Sequence, residues 1–194
     1  ADKAHGSLPA YIPAMGLHNV RNALSAYALA TRLGLAPAAA AAALANYQTT
    51  GHRQHVVEHG GVTVIEDCYN ANPDSMRAAL LTLKEYPVRG RRVAVLGDMF
   101  ELGPFAPTLH AGVGAYLGKA GIDCLVAVGE LARHIYDAAK DAMVPQVYWC
   151  ETKEEAKPIL AELVKPNSTI LVKASRGMAF EELVDDLKRI TKEP

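Results

Sequence analysis

Downstream of Gly51 the chain alternates between two hydrophobic periods, and this constrains the fold more than any other feature. Apolar, β-branched runs occur at Val62–Ile65, Val93–Leu96, Leu125–Val128, Val147–Trp149 and Ile170–Val172. Helical patterns separate them, at Pro73–Glu85, Thr108–Ala120, Leu131–Met143, Lys153–Val164 and Glu181–Ile190. A short strand followed by a helix of this length cannot return antiparallel through a tight turn. It crosses over and pairs in parallel, with its strand buried between helical layers. The expected fold is α/β: a mainly parallel, Rossmann-like sheet with helices on both faces. One exception is expected at the start, where Gln54–Glu58 pairs with Val62–Glu66 as a hairpin across His59-Gly60-Gly61.

Upstream of Gly51 the character differs. An extended, turn-like opening ends at Pro13-Ala14-Met15-Gly16, and two helical patterns follow. The first runs from about His18 to Leu33 and is broken by Gly34. The second begins near Pro37, a good first-turn residue, and continues through the alanines to about Tyr47. The expected organisation is a short helical segment, residues 1–50, and an α/β domain, residues 51–194.

Composition excludes several classes of function. Lys and Arg total 20 against 21 Asp and Glu, with no basic stripe, so nucleic-acid binding is not expected. Cys68, Cys124 and Cys150 are scattered and odd in number, which suits a reducing compartment better than a disulfide framework. No apolar run approaches the ~18–20 residues that span a bilayer, and Ala1–His5 lacks the apolar core of a signal peptide. A cytoplasmic protein without membrane insertion is expected.

In open α/β sheets, ligands bind outside the carboxyl ends of the strands. Those ends here are Glu66-Asp67-Cys68-Tyr69-Asn70-Ala71-Asn72, Gly97-Asp98-Met99-Phe100-Glu101-Leu102-Gly103, Gly129-Glu130, and Lys173-Ala174-Ser175-Arg176-Gly177. In the first, Asn72, Pro73 and Asp74 read as a helix cap, a first-turn proline and an acid matching the helix dipole. Asp67 and Asn70 precede that cap. An acid at a strand end can accept hydrogen bonds from a ribose, although an exposed loop Asp is more often simply solvated. Lys173, Ser175 and Arg176 place two cations and a hydroxyl beside a helix start, a set suited to phosphate or carboxylate, or else a solvated basic turn.

Other signals fail. Gly118-Lys119-Ala120 lacks the earlier glycine of a phosphate loop, since Val113 stands there, and it falls at a helix end. His52, His55 and His59 suggest a metal, but strand alternation sets His52 and His55 on opposite faces, and no cysteine or carboxylate completes a set, so no metal site is expected. His110 reads as a polar surface residue near a helix N-terminus. No Gly-x-Ser-x-Gly elbow is present.

Taken together, the segments resemble the Mur ligase family, and within it the branch that adds D-alanyl-D-alanine. The most specific element is Asp67-Cys68-Tyr69-Asn70-Ala71-Asn72-Pro73 with Ser75-Met76. Gly97-Asp98-Met99 with Glu101-Leu102-Gly103 is a second, and Leu171-Val172-Lys173-Ala174-Ser175-Arg176-Gly177 a third. His18-Asn19-Val20 with Asn22-Ala23-Leu24 is similar to the helix following the family's ATP core, and Gly51-His52-Arg53 to the turn opening its C-terminal domain.

The resemblance implies that residues 1–50 are the helical tail of a central ATP-binding domain and residues 51–194 the C-terminal domain. It implies an ATP- and Mg2+-dependent ligase joining D-alanyl-D-alanine to UDP-N-acetylmuramoyl-tripeptide through an acyl phosphate. The phosphate loop and the magnesium ligands would lie outside these residues, leaving this piece inactive alone. By motif, His18, Asn19 and Asn22 would border the adenine; Arg53 and Asp67 would reach ribose and phosphates; and Asn70 and Asn72 would shape the phosphate-facing loop. Lys173, Ser175 and Arg176 would face the reaction centre or the incoming dipeptide. The alternative is a stand-alone α/β module that binds a nucleotide without turning it over.

Overall fold

The structure is a computed structural model that describes residues 6–49 and 51–191. They fall into two compact units dividing at Gly51. The residues read as lacking a signal-peptide core, Ala1–His5, lie outside the described residues, as does Thr50 in the expected turn.

The first unit carries helix α1 (Leu17–Arg32) and helix α2 (Pro37–Ala43), which tightens into a 3-10 turn at Leu44–Asn46. Pro37 occupies the first turn of α2, where its missing N–H costs nothing. Only Asn19 and Ala23 of α1 are buried, while Leu17, Val20, Leu24 and Leu29 are exposed.

The second unit is built on a six-stranded sheet. Strands β1 (His55–His59) and β2 (Val62–Glu66) form the expected antiparallel hairpin, but His59 belongs to the strand and only Gly60 and Gly61 turn the chain. Then come α3 (Pro73–Glu85), β3 (Arg92–Gly97), α4 (Ala106–Ala120), β4 (Cys124–Val128), α5 (Ala132–Asp141), β5 (Gln146–Cys150), α6 (Lys153–Leu163), β6 (Thr169–Lys173) and α7 (Glu181–Ile190). The strand order is β1-β2-β6-β3-β4-β5, and every pair except β1–β2 is parallel.

Strand order and crossover handedness together place the helices. From β2 to β5 the chain moves in one direction across the sheet, so right-handed crossovers put α3, α4 and α5 on one face. From β5 to β6 it moves back, which puts α6 on the other. Side-chain alternation agrees: Val64, Val93, Val95, Val126, Ile170 and Val172 share a cluster with Leu160 of α6 and with Leu183, Val184 and Leu187 of α7. The helices after β2 and β3 therefore lie on the opposite face from the helix after β6. In open α/β sheets ligands bind where neighbouring connections diverge in this way, and in this sheet that point is the carboxyl ends of β2, β6 and β3. No helix among the described residues is long and apolar enough to cross a membrane.

Candidate active site

The parallel pairing brings the ends of β2, β6 and β3 to one edge. Asp67 follows β2 and donates its backbone N–H to the Val172 carbonyl (2.9 Å); Ser175, just after β6, donates its own to the Asp98 carbonyl (3.0 Å). The three sequence-separated segments are thus stitched side by side.

Lys173 closes β6 and is 2% exposed. Its ammonium donates to Asp67 Oδ2 (2.8 Å) and to the carbonyls of Asn70 (2.9 Å) and Asp67 (3.4 Å). A buried ammonium is tolerable only when its protons are matched, and here the Asp67–Asn70 loop wraps around it. Lys173 therefore fixes that loop from beneath. Ser175 is also buried, and its hydroxyl accepts the backbone N–H of Phe100 (2.8 Å), which holds the loop after β3 against the loop after β6. Arg176 points outward and pairs with Glu181 (3.0 Å).

The β3 loop is anchored twice more. Asp98 Oδ1 accepts the Ala132 N–H (2.7 Å) at the start of α5. Burial pushes the Asp98 carboxyl above its usual range, against the pull of those backbone donors. His110 is fully buried, where the sequence suggested a surface residue. Helix α4 begins at Ala106, earlier than the expected Thr108, so His110 Nδ1 donates back to the Ala106 carbonyl (2.7 Å) and Nε2 accepts the Met99 N–H (2.9 Å). Both ring nitrogens are used in the neutral form, and burial holds the imidazole below its ordinary pKa.

Because β1 is antiparallel, its beginning lies at this same edge. The Arg53 guanidinium stacks over the Tyr69 ring, 4.1 Å from its centroid, and both side chains face solvent. The histidines correct the sequence reading. Gln54 has a positive φ of 49°, and the strand starts only at His55. Strand alternation therefore does not extend back to His52, and both imidazoles reach the buried Glu66 carboxylate. His52 Nδ1 contacts Oε1, and His55 Nδ1 lies 3.5 Å from Oε2. The acidic doublet Glu66-Asp67 at the strand end was visible in the sequence; what it would pair with was not.

Asn72 caps α3 as expected. Its side chain accepts the Ser75 N–H (2.8 Å), and Ser75 Oγ accepts the Asn72 N–H (3.0 Å), a reciprocal box. Asn70 is exposed, with Oδ1 accepting the Ala71 N–H (2.8 Å). Asp74 is 98% exposed in the first turn of α3. The remaining candidates lie in the first unit: His18 is half-buried, Asn22 exposed, and Asn19 buried with Nδ2 donating to the Met15 carbonyl (2.7 Å). The structure therefore unites Arg53, Asp67, Asn70, Asn72, Lys173, Ser175 and Arg176 along one edge. Three non-glycine residues with positive φ also sit in its loops: Gln54, Glu101 and Ala179. Such backbone costs about 1–3 kcal/mol each and persists where surrounding contacts dictate it.

In a doubly wound α/β domain the carboxyl edge, where the polar residues gather here, is the place where ligands bind. The family model described as Mur ligase, glutamate ligase domain, matches residues 52–176. The chain belongs to the Mur ligase family. It is 37% identical over 179 residues to the UDP-N-acetylmuramoyl-tripeptide–D-alanyl-D-alanine ligase of Bacillus subtilis, covering 91% of this chain and 39% of that protein. The Escherichia coli enzyme of the same name is 36% identical over 192 residues, or 94% of this chain and 40% of that one. A crystal structure of MurF from Acinetobacter baumannii superposes with a TM-score of 0.83 at 34% identity, over 93% of this chain and 39% of that chain. The chain thus spans about two-fifths of the length of these relatives.

Proposed function

We propose that these residues form the C-terminal lobe of an ATP-dependent ligase that adds D-alanyl-D-alanine to UDP-N-acetylmuramoyl-tripeptide. The observation that carries this proposal is the Lys173–Asp67 bridge, which brings two of the three family-like loops together at the carboxyl edge of the sheet. Residues 1–50 are assigned to the tail of the ATP-binding domain. The exposed apolar side chains of α1, Leu24 (60%) and Leu29 (63%) among them, support it, because a finished surface rarely leaves a helix so uncovered.

In the proposed reaction ATP phosphorylates the terminal carboxylate of the tripeptide, releasing ADP. The amine of D-alanyl-D-alanine then attacks the acyl carbon, forming the amide and expelling phosphate. The edge fits the nucleotide end of this chemistry. Arg53 offers a guanidinium already oriented by Tyr69, suited to ribose or phosphate oxygens. Asp67, set by Lys173, is placed for a ribose hydroxyl. Asn70 and Asn72 shape the loop between them. Ser175 and Lys173 act by positioning the two rims, while Arg176 is the exposed cation nearest the outer end of the last loop.

The Asp98 carboxylate is committed to the backbone N–H at the start of α5. This supports placing the magnesium ligands, like the phosphate loop, outside these residues. The 194 residues contain no Gly-x-x-x-x-Gly-Lys-Thr/Ser segment. Closure of this lobe over the nucleotide would bring its loops to the reacting groups.

The test is a coupled assay of the whole protein for ADP and phosphate release. Turnover should require both UDP-N-acetylmuramoyl-tripeptide and D-alanyl-D-alanine, and the 194-residue chain alone should show none. Nucleotide binding by the whole protein with no turnover in the presence of both acceptors would favour the non-catalytic module instead.

A further inference from the structure

Glu66 is a buried carboxylate with unusual partners. It is 3% exposed at the end of β2, yet among the described residues the only ionisable bases that pair with it are imidazoles. A buried carboxylate normally finds a guanidinium or ammonium. Here the nearby Lys173 is taken by Asp67, and Arg53 stacks on Tyr69. On the next inward-facing position of the same segment stands Cys68, fully buried, with its sulfur 3.9 Å from Glu66 Oε1. The His52 nitrogen, the Glu66 oxygen and the Cys68 sulfur all lie within 4.8 Å of one another.

Those separations decide what the cluster can hold. Around a tetrahedral zinc, with Zn–S of about 2.3 Å and Zn–N or Zn–O of about 2.0–2.2 Å, neighbouring donor atoms stand ~3.5 Å apart. The cluster is already within reach of that geometry. An ion seated among the three atoms would replace the direct His52–Glu66 contact. The donor set is mixed imidazole, carboxylate and sulfur, which selects zinc-like cations over magnesium or calcium. His55 reaches the other oxygen of Glu66, as an outer partner that fixes a ligand's orientation does. The side chain of His52 is 39% exposed, which gives an ion access to the cluster from solvent. Its loop, turned by the positive φ of Gln54, delivers the ring from outside the sheet.

We propose that His52, Glu66 and Cys68 form a binding site for one thiophilic divalent cation of the zinc class, with His55 positioning Glu66. This is independent of the ligase reading and adds a metal that the sequence did not lead us to expect. Binding requires the Cys68 thiol to lose its proton to solvent as the metal–sulfur bond forms. Burial and the adjacent Glu66 push that thiol up to about 12 in the absence of an ion, so the sulfur is an inert thiol until a cation arrives.

Cobalt(II) is the probe, because a thiolate ligand gives it a near-ultraviolet charge-transfer band. The reduced 194-residue chain is titrated with cobalt(II) near neutral pH, followed by zinc competition. We expect one equivalent bound with that band, and displacement by zinc. Cys68→Ser should abolish the band. His52→Asn should weaken affinity at least tenfold, and Cys150→Ser, at a buried thiol elsewhere, should change neither. If the wild-type chain shows no charge-transfer band, with or without bound cobalt, the proposal is overturned. Survival of the band in Cys68→Ser, or undiminished affinity in His52→Asn, overturns it equally.

Discussion

The Lys173 ammonium and the Asp67 carboxylate, 106 residues apart in the chain, meet at 2.8 Å and join the carboxyl ends of two adjacent parallel strands. The two partners are unequal: the Lys173 side chain is 2% exposed and that of Asp67 13%. Removing the acid strands a buried cation, whereas removing the cation leaves a carboxylate that water can partly reach. Breaking a buried pair from one side costs about 3–5 kcal/mol. Asp67→Ala should therefore destabilise the chain by about 3 kcal/mol or more, and Lys173→Met by less. The double variant should recover part of the loss. Denaturant unfolding of the three variants checks this, and Lys173→Met proving the more damaging would contradict it.

His110 should give stability a sign-specific pH dependence. Its folded pKa is depressed by burial below the ordinary value of 6.5. As pH falls past that value the unfolded chain takes up a proton that the folded ring resists, so stability present above it is lost progressively toward the folded pKa. Asp98 contributes with the opposite sign, because its folded pKa is raised above 3.8 and stability falls as pH rises through the shifted range. The two are separated by His110→Gln, which should flatten the loss below pH 6.5 while lowering stability at neutral pH by about 1–3 kcal/mol. The readout is thermal or urea unfolding of both proteins across that range. An unchanged slope in the variant would remove His110 as the cause.

Gly129 and Gly121 offer a matched pair. Both have positive φ, 120° and 64°, but a Cβ on Gly129 would fall 2.5 Å from Asp98 Oδ1, while nothing lies within 4 Å of one on Gly121. Gly121→Ala should cost about 1 kcal/mol of backbone strain. Gly129→Ala should cost about 2–4 kcal/mol, because it also displaces the carboxylate that accepts the Ala132 N–H. Chemical denaturation of the two variants gives the comparison.

Elements whose signals are local were legible in the sequence. The α3 start was announced by Asn72-Pro73, and the β/α alternation foretold a parallel sheet with the candidate residues at its carboxyl edge. What escaped depended on backbone detail or distant partners. The two-residue extension of α4 turned His110 from a surface residue into a buried brace. One positive φ at Gln54 swung His52 onto the same carboxylate as His55. The sequence placed Ser175 at the carboxyl edge but not its bond to the Phe100 N–H, which parallel pairing of β6 with β3 sets up. None of these partners lies within the reach of a periodicity argument.

In the proposed lobe the carboxyl edge carries one half of a nucleotide site, with the Arg53 guanidinium as an exposed charged donor. Calorimetric titration of ADP with magnesium into the whole protein, wild type against Arg53→Ala, tests it most directly. Arg53→Ala should weaken affinity about tenfold, the ~1.4 kcal/mol of a lost charge-assisted bond, with unfolding stability nearly unchanged because the side chain is exposed. Equal affinity in the two proteins would contradict it.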